Sequence, residues 1–207
     1  MSLKYAICGF LNYGPLTGYD LDKIFNHSAS YFWPATQSQI YRTLEELARE
    51  GWAEVKLERQ EGRPDRKLYH LNETGREQLQ KWLKTYHPYR GERMAMIVQF
   101  FFSSLRDDQE VIDILEKRAA QHRERLAEYR GETRNFLERA IAQTGRGRDG
   151  KFWRLSLELG IRLEKAWIDW LDDAIDELKR QSGVGGASNP QAGNRNSKPS
   201  TGRQKKS

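Results

Sequence analysis

Residues 37–52, QSQIYRTLEELAREGW, carry the reading on which the fold turns. At helical period Ile40, Leu44 and Leu47 fall on one stripe with Ala48 at its edge, the buried side of an amphipathic helix. Gly51 stands just past the last periodic residue, where a left-handed backbone ends a helix. The opposite face changes character along its length. Ser38, Gln39 and Arg42 occupy the first turns with no acid among them, and Glu45, Glu46 and Glu50 follow only later. A helix that enters a DNA groove by its N-terminus needs hydrogen-bonding side chains and the positive end of its dipole there. It tolerates carboxylates only at the end that stays outside the phosphate field. An ordinary amphipathic helix with a mixed solvated face is the competing reading of these residues taken alone.

The flanks favour the first reading. Residues 4–12 predict a short buried helix with Tyr5, Ile7, Cys8 and Leu11 among its apolar positions. Gly14 and Pro15 mark a turn, and Thr17 can cap a second helix that runs through Phe25 with Leu21, Ile24 and Phe25 inward. Residues 27–35 read as an aromatic loop that ends at Pro34. Beyond Gly51 the period changes from 3.6 to 2: Ala53, Val55 and Leu57 alternate with Glu54, Lys56 and Glu58, which is a strand. Residues 60–66, QEGRPDR, predict a hairpin loop, and residues 68–71 the returning strand. Asn72 can cap a further helix carrying Leu79, Trp82 and Leu83. Three helices, a two-stranded ribbon and a helix make a winged helix-turn-helix order, in which the third helix reads DNA and the ribbon flanks it. Arg63, Arg66 and Lys67 stand with Gly62 and Pro64 in the ribbon's tip, a basic finger able to meet phosphate or the adjacent minor groove. Basic hairpin tips are also common as solvated loops; the nose-first helix beside this one is what makes the combination specific.

Composition shifts to Pro, Tyr, Gly and charge over residues 85–93, a domain boundary. Residues 94–105 are apolar on nearly every side, and a helix of that kind must be enclosed by other elements. Asp107 and Glu110 predict a capping box for a helix reaching about Gln143. Its inward positions are Ile112, Leu115, Ala119, His122, Leu126, Tyr129, Thr133, Phe136 and Ala140. Such a sustained seam is coiled-coil-like, and a helix roughly 50 Å long at 1.5 Å per residue needs an equally long partner. Residues 145–150, GRGRDG, lack the Lys-Ser/Thr pair and preceding strand of a phosphate loop and read as a turn. A last helix over residues 151–180 places Leu163, Trp167, Trp170 and Ala174 on one stripe. Its first half, WRLSLELGI, is apolar too broadly for one partner, which calls for a second copy of the chain. The organisation expected is therefore mainly α: a winged helix DNA-binding domain over residues 1–84, a long-helix dimerisation and effector domain over residues 92–180, and a disordered basic tail over residues 181–207.

The 207-residue chain carries a formal net charge of +6, but five bases and no acid lie beyond Gln181, so the body is near neutral. Overall charge is thus weak evidence for nucleic acid, and local placement carries the argument. The tail adds only a weak, sequence-independent attraction to DNA. One cysteine, Cys8, excludes an internal disulfide and fits a reducing cytosol. With no membrane-spanning run and no secretory signal pattern, a cytoplasmic, nucleoid-associated protein is expected. His27, His70, His87 and His122 lack zinc-site spacing, and no Ser-His-Asp or Cys-His arrangement stands out. No enzyme, metal or cofactor is expected. His122 on the seam reads as a hydrogen-bonded structural histidine or as a titrating switch. Trp153, Trp167 and Trp170 with Phe100, Phe101 and Phe102 read as a packed dimer core or as a pocket for a flat apolar ligand. Tyr31, Phe32 and Trp33, in the loop before the third helix, read equally as packing beneath it.

Three blocks, LKYAICGFLNYGPLTGYDLDKIF (residues 3–25), SQIYRTLEELAREGWAEV (residues 38–55) and GRPDRKLYHLNETG (residues 62–75), resemble in order and spacing the N-terminal domain of PadR-type transcriptional regulators. The remainder is similar in layout to the C-terminal dimerisation domain of that family's longer branch. The resemblance implies a homodimer joined through C-terminal helices, binding double-stranded DNA at an inverted repeat. It implies a DNA face of Tyr19, Ser38, Gln39, Tyr41 and Arg42, with Arg63, Arg66 and Lys67 in the wing. It also implies a repressor relieved by a small aromatic effector, whose contacts no motif here assigns. The alternative is a protein-interaction module that uses the winged helix as a partner-binding surface.

Overall fold

The structure is a computed structural model and describes residues 2–59, 65–88, 91 and 93–182. Helix α1 (Ser2–Tyr13) leads to a two-residue strand β1 (Leu16–Thr17), then α2 (Gly18–Ser28), α3 (Gln37–Arg49), β2 (Ala53–Glu58), β3 (Arg66–Leu71) and α4 (Glu73–Lys84). Strand β1 is too short to show a period, and the sequence reading did not include it. It pairs antiparallel with β3, so the sheet has three strands in the order β1-β3-β2. The loop expected over residues 27–35 starts later, because α2 continues through Ser28.

The helix stops and starts follow local chemistry. Thr17 caps α2 by accepting from the Asp20 amide, and Gly51, at φ 71°, turns the chain out of α3. Asn72 caps α4 through Gly75 N, and its amide nitrogen donates to the Gly51 carbonyl at 2.9 Å. A Cβ at Gly75 would lie 2.3 Å from the Trp52 carbonyl oxygen, so only glycine lets the start of α4 abut the end of α3. One buried cluster then ties these elements together: Ile7, Cys8 and Leu11 of α1, Leu21 and Phe25 of α2, Ile40, Leu44 and Leu47 of α3, with Tyr69, Leu71 and Leu79. The ribbon departs from its expected pattern beyond this cluster. Ala53 is buried, but Val55 and Leu57 on the same face are exposed, because the ribbon outruns the core that covers its root.

The second half is helical. Helix α5 (Ala95–Phe101) and a 3-10 turn (Ser103–Leu105) replace the single enclosed helix expected over residues 94–105. Only Met96 of α5 is buried; Val98, Phe101, Phe102 and Leu105 stay exposed in one chain. Asp107 caps α6 (Asp108–Glu128), but Glu110 does not complete a capping box: it pairs with Arg106 instead. A π-helical turn, Tyr129–Thr133, separates α6 from α7 (Arg134–Thr144). The wider turn shifts the inward stripe, so Leu137 is buried where Phe136 and Ala140 were expected, and these two are only partly covered.

Gly145, at φ 62°, ends α7, and α8 (Gly147–Gln181) begins inside the segment read as a turn. The buried face of α8 is Leu157, Ile161, Glu164, Leu171 and Ile175, out of phase with the expected stripe: Leu163 is 54% exposed, and Trp167, Trp170 and Ala174 are half-buried. Leu171 and Ile175 pack with Val111, Ile112, Leu115 and Ala119 of α6. Leu157 and Ile161 pack with Tyr129 and Leu137. Tyr31 belongs to this second group and not beneath α3: its ring meets Tyr129 edge-on at 5.5 Å. The two halves also meet where Arg146 donates to the Tyr13 carbonyl at 3.0 Å.

Within the helical seam, His122 is hydrogen-bonded through Nδ1 to Glu164 at 2.5 Å, and Arg125 approaches the other carboxylate oxygen at 3.2 Å. No helix among the described residues is long and apolar enough to cross a membrane. The tail residues 183–207 lie outside the described residues.

Candidate nucleic-acid interface

Helix α3 presents its first turns to solvent on a base that is fully packed. Ile40, Thr43, Leu44 and Leu47 are buried, while Ser38, Gln39, Tyr41 and Arg42 are exposed. There is no acid in the first turn, so the positive end of the helix dipole faces outward uncompensated. Thr36 begins the helix with a capping box: its side chain accepts from Gln39 N at 3.3 Å, and Gln39 Oε1 accepts from Thr36 N at 2.8 Å. The motif T-x-x-Q over residues 36–39 was available in the sequence and escaped the reading.

Helix α2 braces the same edge. A Cβ on Gly18 would come within 2.8 Å of the Tyr41 ring, so glycine is needed for α2 to start against α3. The next residue, Tyr19, is 55% exposed. Lys23, one turn on, holds its ammonium 4.5 Å from the Tyr19 ring centroid. The Tyr19 side chain raises the pKa of Lys23. Lys23 was not among the residues expected here, although its i+4 spacing from Tyr19 was visible.

On α3 the acids begin only at Glu45, four residues beyond Tyr41 and on the same side of the helix. Glu45 lies near enough to Tyr69 of β3 to add to burial in pushing that phenol's pKa up. Glu50 is bound by Lys4 of α1, which holds its carboxyl below the ordinary range.

The wing contributes less unity than its composition suggested. Arg66 and Lys67 are both exposed, but adjacent strand residues point to opposite faces. Lys67 shares a face with Leu57 and Tyr69, and Arg66 lies opposite Glu58 on the other. Arg63 falls in residues 60–64, outside the described residues.

Of the aromatic residues weighed as a ligand pocket, Phe100, Trp170 and Trp167 meet in one chain, the two tryptophans edge-on at 5.9 Å, while Trp153 packs elsewhere. Trp153 meets Tyr13 edge-on at 5.6 Å, Trp167 stacks on His122 at 5.5 Å, and Trp170 meets Phe100 at 5.1 Å. Phe101 and Phe102 face solvent. Among the described residues there is no cluster of three or more His, Cys, Asp or Glu able to hold a metal ion.

A capped, acid-free helix end braced by a second helix and flanked by a β-ribbon, with long helices behind it, defines a winged-helix DNA-binding regulator. The chain belongs to the Transcriptional regulator PadR-like family, which residues 7–81 match; residues 92–179 match Virulence activator alpha C-term. It is 31% identical over 194 residues to Probable transcriptional regulator Rv1176c of Mycobacterium tuberculosis, covering 87% of this chain and 100% of that one. It is 28% identical over 174 residues to Negative transcriptional regulator PadR of Bacillus subtilis, covering 84% of this chain and 95% of that one. The crystal structure of Bacillus subtilis PadR in complex with operator DNA superimposes with a TM-score of 0.71 at 26% identity, covering 86% of this chain and 99% of that one. The same protein in complex with p-coumaric acid gives 0.64 at 26% identity, covering 86% and 95%.

Proposed function

We propose that this regulator is a homodimeric repressor that binds an inverted repeat through two copies of α3 and is released by a small aromatic ligand. The observation that carries the DNA reading is the exposure of Ser38, Gln39, Tyr41 and Arg42 on the acid-free turns of a capped helix whose other face is sealed in the core. Ser38, Gln39 and Arg42 reach base edges, while Tyr19, Tyr41 and the wing residues Arg63, Arg66 and Lys67 fix the register on phosphate. Residues 1–84 form the DNA-binding domain, and residues 92–180 pair the two copies. The protein works in the cytoplasm on the nucleoid.

A second copy is supported by α8, which is apolar on two opposite faces. Leu157, Ile161, Leu171 and Ile175 face inward, whereas Phe152, Leu155, Leu159 and Leu163, at spacings of three and four, remain 53–59% exposed. With the two α3 ends carried on one two-fold axis, half-sites fall about 34 Å apart or a multiple of that. Repression by this chain is supported by the name of its Bacillus subtilis relative, and an aromatic effector by that relative's complex with p-coumaric acid.

Fluorescence anisotropy of the full-length protein on the DNA upstream of its own gene, against a scrambled duplex at equal salt, tests the reading. Specific affinity at least a thousandfold above the scrambled duplex is expected, reduced by a hydroxycinnamate. Equal affinity for both duplexes refutes sequence-specific binding, and an unchanged isotherm across a panel of hydroxycinnamates and planar drugs refutes the effector class.

A further inference from the structure

Gln39 has two chemical ends, and the fold has already used one of them. Its Oε1 accepts from Thr36 N at 2.8 Å and from Thr36 Oγ1 at 3.3 Å, which occupies both lone pairs of the amide oxygen. The Nε2 end is left with two N–H donors on an exposed side chain. We infer that Gln39 reads the operator as a hydrogen-bond donor only. This rests on the proposal that α3 lies in the major groove.

The consequence for base choice follows from the groove code. A free glutamine pairs with adenine through both ends, accepting from N6–H and donating to N7. With Oε1 held by the cap, that pairing requires both bonds to Thr36 to break and the helix to lose its cap. The remaining donors match acceptors: guanine O6 and N7 together, thymine O4 or adenine N7 singly. Cytosine shows only its N4 donor in the groove and opposes them outright, and adenine N6 opposes a second bond beside N7. Gln39 therefore ranks guanine first, thymine and adenine behind it, and cytosine last. The signature is a position in each half-site that prefers guanine on one strand and rejects cytosine there, with no special preference for adenine.

The experiment is a protein–operator cycle with the full-length dimer. All four base pairs are placed in turn at each half-site position and titrated with the wild type, with Gln39→Met and with Gln39→Glu. The Met variant has no donor, so the position whose base dependence collapses is the one Gln39 contacts. Glu keeps an acceptor for Thr36 N and loses the outward donor, so its melting temperature stays at the wild-type value while the guanine preference disappears. At the contacted position the wild type is expected to bind the G operator most tightly, the T and A operators within about threefold of each other, and the C operator about tenfold or more weaker than the G operator. Adenine alone ranking first, with 7-deazaadenine abolishing the preference, overturns the inference and leaves α3 docking intact. No position responding to either substitution refutes the placement of Gln39 in the groove, and the inference with it.

Discussion

Leu159→Glu on the outward face of α8 separates an open apolar surface from an interface. Leu159 is 59% exposed in one chain, and its neighbours on that face, Phe152, Leu155 and Leu163, are 53%, 57% and 54% exposed. Full burial of a leucine is worth about 1.5–3 kcal/mol, so the open fraction of Leu159 is worth roughly 1–2 kcal/mol once a second copy covers it. A two-fold axis counts the substitution twice, which gives about 2–4 kcal/mol, and burying the new carboxylate opposes association further. At about 1.4 kcal/mol per decade, the dimer dissociation constant should rise at least 30-fold to 1000-fold. Glutamate is a good helix former, so α8 itself is preserved. Sedimentation equilibrium reads the change directly, and anisotropy should show loss of the full operator's advantage over a half-site. Leu157→Ala, on the inward face and 4% exposed, is the control: it should cost about 2–5 kcal/mol of stability through a cavity. A Leu159→Glu protein that stays dimeric at the wild-type dissociation constant refutes the assignment of this face.

Arg42→Ala should cost about 1–3 kcal/mol on the specific operator and relax preference at one position, measured by anisotropy; unchanged binding would mean that α3 is docked differently. Glu164 is 5% exposed and takes bonds from His122 and from the half-exposed Arg125. Glu164→Leu should therefore cost about 2–4 kcal/mol in urea unfolding, with much of that recovered when His122→Phe is added, since an apolar pair replaces a buried polar one; additive losses would refute the coupling. Burial pushes the Cys8 thiol from 9.0 up to about 11. The native state holds that proton longer than the unfolded state, so its contribution is complete below pH 9 and declines as pH rises toward 11. The wild type should lose about 2–3 kcal/mol more than Cys8→Ala over that interval, and parallel pH profiles would refute it.

The sequence by itself determined the local elements of the first half, because their determinants lie within a few residues of each other. The stripe Ile40, Leu44, Leu47, the stop at Gly51, the caps at Thr17 and Asn72 and the period change at Ala53 all stand in the structure as read. The exposed edge of α3 was legible for the same reason: once the buried stripe is known, Ser38, Gln39 and Arg42 have nowhere else to point.

Only the tertiary structure decided the phase of the long helices and the partners of their side chains. The π-turn at Tyr129–Thr133 leaves no mark in a periodicity count, yet it moves the buried stripe of α7 to Leu137. The first half of α8 offers apolar residues on two faces, and what it packs against selects Leu157 and Ile161 for the interior while Leu159 and Leu163 are left open. Tyr31 likewise went to Tyr129 in place of α3, because an aromatic ring in a loop takes whichever apolar surface the neighbouring helices bring within reach. Local rules act through bonds close along the chain, whereas the choice between two equally apolar faces is made by whatever surface arrives to cover one of them.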